Sequence, residues 1–183
     1  MFRFIAFLRA INVGGGRTVK MQSLRQVFES LGFSRVNTFI ASGNVVFETP
    51  PKKTRALETK IERALKAALG YEVRTFVRRD DELAKIANYR AFPQSKFDET
   101  WQSNTIFLAD ELTEKLKQNV EALRTKTDVF EVHGKEIYWQ RRRKQNKAFS
   151  TVPLEKILGP AFTVRGTNTI KRIVSKYCSP KLC

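Results

Sequence analysis

Histidine is almost missing from this chain, and cysteine is scarce. One histidine, His133, and two cysteines, Cys178 and Cys183, occur among 183 residues. Both cysteines fall in the last six positions, which excludes a disulfide framework and a zinc quartet and fits a reducing cytoplasm. A lone histidine beside Gly134 excludes a His-rich metal site and makes a His-based triad unexpected. No metal is expected, and no motif names a cofactor. Long apolar runs are missing too. The N-terminal run Phe4-Ile5-Ala6-Phe7-Leu8 is closed by Arg9, too short for a signal peptide or for the ~20 residues that span a bilayer. The expectation is a soluble, cytoplasmic protein with no membrane role; the sequence assigns no oligomeric state.

Acidic residues are also in short supply. Lys and Arg number 34 against 18 Asp and Glu, a net charge of +16. Residues 1–92 carry 17 basic and 8 acidic groups (+9), and residues 93–183 carry 17 and 10 (+7). Such a field favours polyanions, nucleic acid or a phosphorylated small molecule, and equally describes a well-solvated basic surface.

Periodicity supplies the elements. Phe2 to Leu8 reads as a buried strand, followed by a glycine-rich loop from Ile11 to Thr18. Met21, Leu24, Val27, Phe28 and Leu31 recur at helical spacing, with Gly32 where a C-cap belongs. Val36–Ile40 and Asn44–Phe47 read as strands joined by Ala41-Ser42-Gly43. Leu57, Ile61, Leu65 and Ala68 mark a helix from Lys53 to Leu69, Tyr71–Val77 a strand, and a short helix starts near Asp80. The order β-α-β-β-α-β is that of a ferredoxin-like unit.

From Pro93 to Ser103 the chain reads as a connection, and then the rhythm returns. Thr105–Ala109 is a strand, Leu112, Leu116, Val120 and Leu123 mark a helix, and Val129–Val132 with Glu136–Tyr138 form a hairpin. Leu154–Leu158 and Ile170–Tyr177 read as helices. The fold class predicted is therefore α+β, with two ferredoxin-like halves, 1–92 and 93–183, packed into one compact body. The second half lacks or alters its last strand and ends in a helix and a short tail.

The stretch Phe4-Ile5-Ala6-Phe7-Leu8-Arg9-Ala10-Ile11-Asn12-Val13-Gly14-Gly15 resembles the opening of the DUF1697 family of uncharacterised bacterial proteins. Val19-Lys20-Met21, Leu31-Gly32-Phe33, Ala41-Ser42-Gly43-Asn44-Val45-Val46-Phe47, Leu154-Glu155-Lys156, Thr163-Val164-Arg165 and Asn168-Thr169 extend the likeness over nearly the whole chain. Gly166-Thr167-Asn168 departs from it, standing where the family usually has an aromatic residue. The resemblance implies an α+β fold of two ferredoxin-like halves and no catalytic residues.

Two segments stand out as binding candidates. The loop before the first helix carries Asn12, Gly14, Gly15, Gly16 and Arg17, with Arg9 and Lys20 at its ends. Glycines there leave backbone N–H groups accessible at a helix N-terminus, where anions bind, and they equally serve a tight φ-positive connection. The pattern is neither a Walker A sequence nor a dinucleotide-binding fingerprint. The second segment is Arg141-Arg142-Arg143-Lys144-Gln145-Asn146-Lys147, preceded by Tyr138 and Trp139 as possible stacking surfaces for nucleic acid; a solvated charge run is the alternative.

Other constellations carry less. Ser42-Gly43-Asn44 reads as an ordinary hairpin turn, expected at the end of the sheet opposite the start of the first helix. An RNA-recognition comparison lacks its aromatics in Asn44-Val45-Val46-Phe47. Asp80, Asp81 and Glu82 suit a helix start. The function expected is binding of a polyanion, nucleic acid or a phosphorylated ligand, without catalysis. The alternative is an enzyme acting on a small phosphorylated substrate at the Asn12–Lys20 loop.

Overall fold

A run of aromatic and branched residues along Phe2–Leu8 makes this segment a strand, β1, whose geometry sorts its side chains between two faces. Phe4, Ala6 and Leu8 join one apolar core, while Ile5 and Phe7 lie on the other face of the strand. The structure, a computed structural model, describes residues 1–9, 11–12, 18–93, 97–142 and 151–178. After β1 come α1 (Met21–Ser30), β2 (Ser34–Thr38), β3 (Asn44–Thr49), α2 (Thr54–Leu69), β4 (Thr75–Arg79) and α3 (Asp80–Asn88). The four strands form an antiparallel sheet in the order β2-β3-β1-β4.

The helical spacing read from the sequence is what fills the core. Leu24 and Phe28 of α1 and Leu57, Ile61 and Leu65 of α2 meet Val45, Phe47 and Val77 of the sheet. Phe47 stacks on Phe33 at 4.4 Å between ring centroids and meets the edge of Phe28 at 5.5 Å. Each side chain of this size taken out of water contributes about 1.5–3 kcal/mol.

Strand β4 lies at the sheet's edge, where N–H groups facing away from β1 need partners. Carboxylates supply them. Glu58 and Glu62, one turn apart on α2, accept from the backbone N–H of Val77 (2.9 Å) and Thr75 (3.0 Å), and Glu82 accepts from that of Arg79 (3.3 Å). Burial pushes the Glu58 carboxyl above its ordinary value of 4.5, against the lowering effect of the Val77 hydrogen bond and of Arg55 and Arg78. The folded chain thus holds this proton more tightly than the unfolded one. The group's contribution to stability is full below the unfolded value and is lost as pH rises through the raised folded value. Urea midpoints measured from about pH 4.5 to about pH 8 should fall for the native chain and fall less for Glu58→Gln, which keeps an acceptor for Val77 but cannot ionise. Parallel profiles for the two proteins would refute this account.

The second half repeats the order. It contains β5 (Trp101–Leu108), α4 (Glu114–Glu121), β6 (Asp128–His133), β7 (Glu136–Arg142), α5 (Val152–Leu158), β8 (Phe162–Gly166) and α6 (Thr167–Tyr177). Its sheet is again antiparallel, in the order β6-β7-β5-β8. A second core gathers Ile106, Leu108, Val120, Phe130, Ile137, Trp139, Leu154 and Phe162. The expectation that this half lacks or alters its last strand is corrected here. Phe162–Gly166 pairs with β5 from Leu108↔Phe162 to Asn104↔Gly166. Five residues between Ala161 and the start of α6 offer too few alternations for periodicity to register a strand.

The chain divides into two compact units, Met1–Lys85 together with Ile173–Cys183, and Ile86–Arg172. Among the described residues no helix is long and apolar enough to cross a membrane.

Candidate functional site

Because β1 and β3 are antiparallel neighbours, the end of β1 meets the beginning of β3, with Phe7 opposite Asn44. The Ser42-Gly43-Asn44 turn therefore lies at the same end of the sheet as the segment leading into α1. The opposite placement expected from the sequence is overturned by this register. Two motifs 29 residues apart are tied together through Asn12. Its side-chain amide donates to the carbonyls of Val19 (3.1 Å) and Ala41 (3.0 Å), and its carbonyl accepts from the backbone N–H of Val19 (2.7 Å). Asn12 adopts φ 54°, a left-handed conformation that asparagine tolerates better than most residues.

The turn closes tightly on this segment. Gly43 has φ +71°, and a Cβ there would lie 3.0 Å from the Ile11 Cβ and 3.1 Å from the Leu8 Cβ. Its carbonyl accepts from the Leu8 N–H at 2.8 Å. Asn44 is fully buried, and its amide donates to the Phe39 carbonyl (3.0 Å) and the Ser42 hydroxyl (3.1 Å). The Arg9 N–H donates to the carbonyl of Arg74 at 2.8 Å, which brings the start of β4 to the same end.

Helix α1 opens at this place. Lys20 occupies its N-cap position with extended backbone angles (φ −64°, ψ 132°) and provides no side-chain cap, and the first turn holds no acidic residue. The first-turn N–H groups carry partial positive charge, and Lys20 is exposed beside them. Arg74, half exposed, reaches Glu62 only at 3.9 Å. The structure thus assembles Arg9, Asn12, Lys20 and Arg74 with the 41–44 turn. Gly14, Gly15, Gly16 and Arg17 lie outside the described residues. Sequence reasoning read the 41–44 segment as an ordinary hairpin turn and passed over Arg74; the antiparallel pairing of β1 with β3 and β4 is the signal that would have located both at this end.

The second candidate segment falls on β7. Trp139 is 3% exposed; it stacks on Phe130 at 5.4 Å and donates its indole N–H to Asp128 at 3.0 Å. Tyr138 is 8% exposed, with its ring 4.7 Å from that of Tyr89. Arg141 lies 3.8 Å from the Asp128 carboxylate with its guanidinium 5.6 Å from the Trp139 ring centroid. Arg142 is exposed and pairs in register with Trp101. Arg143, Lys144 and Lys147 lie outside the described residues. The sheet of the first half presents no open face to stack bases on, since Ile5, Phe7, Val46 and Phe76 are at most 2% exposed.

His133 stacks on Tyr89 at 4.3 Å, and the Tyr89 hydroxyl donates to Glu131 at 2.9 Å. Burial and this carboxylate raise the Tyr89 phenol above its ordinary range. Asp81 pairs with Arg79, which holds its carboxyl below the usual range, so the acids at the head of α3 are engaged in local structure. Cys178 is buried. Among the described residues no group of three metal-ligating side chains comes together.

A family model described as "Protein of unknown function (DUF1697)" matches residues 1–138. No curated protein matches the chain. Among solved structures, the chain is similar to a conserved bacterial protein, SP0830, from Streptococcus pneumoniae, with a TM-score of 0.72 and 23% sequence identity over 98% of this chain and 99% of that one. That likeness concerns the fold.

Proposed function

The chain belongs to the DUF1697 family of proteins of unknown function, and we propose that it is a non-enzymatic binding protein for a phosphorylated small molecule, held where β1 passes into α1. One observation carries this reading: an uncapped helix N-terminus without acids, next to Lys20, is fixed by Asn12 against the 41–44 turn. A rigid array of N–H donors and cations suits a phosphate group, whose charge-assisted hydrogen bonds are the strong ones. The overall charge of +16 supports attraction of such a ligand from solution. A cytoplasmic setting fits the reading, because phosphorylated metabolites are found there.

We also read each half as ferredoxin-like. The matching orders β2-β3-β1-β4 and β6-β7-β5-β8, each built from the sequence β-α-β-β-α-β, support this and suggest an internal duplication.

Nucleic acid is the competing ligand, and one experiment separates the two. Pyrophosphate, a nucleoside monophosphate and labelled single- and double-stranded RNA and DNA are titrated across a salt series. Saturable binding of a small phosphate, weakened about tenfold by Lys20→Glu with no fall in urea midpoint, is the expected result. Submicromolar, steeply salt-dependent binding of nucleic acid that Lys20→Glu leaves unaltered would refute the small-ligand reading and favour a nucleic-acid partner.

A further inference from the structure

The second compact unit contains a cleft of about 570 Å³, within the range of small-ligand sites. Its walls are aromatic. Phe92 and Phe97 meet at 5.5 Å with their planes 64° apart, and Phe97 is held in turn by Trp101 at 4.9 Å. Phe130 forms a third wall and is fixed from behind by the stacked ring of Trp139.

Among the described residues, the charged groups on this cleft are Glu121, Arg124 and Glu131. Glu121 is the last residue of α4, where the helix dipole is negative, and the last turn contains no basic residue. Its carboxylate makes no ion pair among the described residues. Glu131 accepts the Tyr89 hydroxyl through one oxygen and keeps the other. Placing an uncompensated acid at a helix C-terminus is unfavourable to the free protein, and a cation in the cleft would relieve it. Aromatic faces attract the same kind of ligand through their quadrupoles. Among the described residues, Arg124, exposed, is the one group on the cleft that opposes a cation.

From these walls and charges we infer that the cleft between the end of α4, β6, residues 91–93 and Phe97 binds a small organic ammonium ion. Rings carry the contact and the carboxylates of Glu121 and Glu131 carry the charge complementarity. This site is separate from the anion site proposed at α1, and it asks for a ligand of opposite sign.

The test is titration of the full chain with choline and with putrescine, followed by calorimetry or by the chemical shifts of aromatic protons. Saturable binding is expected, weakened about fivefold or more by Glu121→Gln and strengthened about two- to fivefold by Arg124→Gln. Phe97→Leu, which keeps apolar volume and removes the ring quadrupole, should weaken choline about fivefold. Glu121 is half-buried and Arg124 exposed, and the urea midpoints of both variants serve as the check on folding. A preference for choline would assign the main contact to the rings, and a preference for putrescine would assign it to the carboxylate pair. No saturable binding of either ion by about 10 mM, or variants with the reverse signs, would overturn the inference. Tighter binding of glutarate than of putrescine would overturn it as well, since that would make Arg124 the recognising group.

Discussion

Gly43→Ala is expected to lower stability by about 2–4 kcal/mol, read as a drop in the urea midpoint at unchanged slope. Two costs add. The backbone at φ +71° is one that alanine adopts only with strain. The new methyl group would also stand 3.0–3.2 Å from Ile11, Leu8 and the Leu8 carbonyl oxygen. The Leu8 atoms are at the end of β1, which is locked on both sides by β3 and β4 and has little room to yield. Relief must come from the segment leading to α1, so the same substitution should weaken phosphate binding in the fraction that remains folded. A midpoint within experimental error of the native protein would show that the turn can shift without cost and that its tie to β1 is unimportant.

Asn12→Ala should cost a similar amount, about 2–4 kcal/mol, by a different route. It removes three hydrogen bonds, two of them to carbonyls that then lose a donor, and leaves alanine at φ 54°. Asn12→Gly isolates the side chain's part: it accepts the backbone angle but still lacks the amide. If the glycine variant recovered full stability, backbone conformation alone would explain the residue, and Asn12 would not be the tie described here. Asn12 and Gly43 act on the same junction. The double variant should therefore lose less than the two single losses combined. Lys20→Glu, by contrast, is expected to weaken binding without loss of stability, because Lys20 is exposed and caps nothing, and an acid suits a helix N-terminus.

Much of the fold is legible in the residues because burial writes a period into the sequence. Leu24 and Phe28, or Leu57, Ile61 and Leu65, recur at three and four residues because one face of each helix meets the sheet. Strands β1 and β3 announce themselves through branched and aromatic runs. Where this signal is short it fails, as at Phe162–Gly166. Where a segment is buried on both faces it misleads. Tyr138 and Trp139 stand next to a basic run and invite a stacking role, yet Trp139 lies in the core while Tyr138, on the other face, is covered by Tyr89. Alternation assigns one of two adjacent residues to the core. It is silent on whether the other side is also closed.

By itself the sequence determined the element order of the first half, most of that of the second, the family and the positive charge, since each rests on local residue content or on spacing within one element. Only the tertiary structure decided which ends of strands meet. That choice placed Gly43 against Leu8 and Ile11 and joined Asn12 to Val19 and Ala41. It set Glu58 and Glu62 against the edge of β4, and it gathered Phe92, Phe97 and Phe130 around Glu121. The physical reason is that local periodicity records which face of an element avoids water. It carries no record of the partner, because any complementary apolar surface satisfies the same pattern. Strand pairing and the packing of helices on the sheet choose among those surfaces, and the candidate sites exist only once that choice is made.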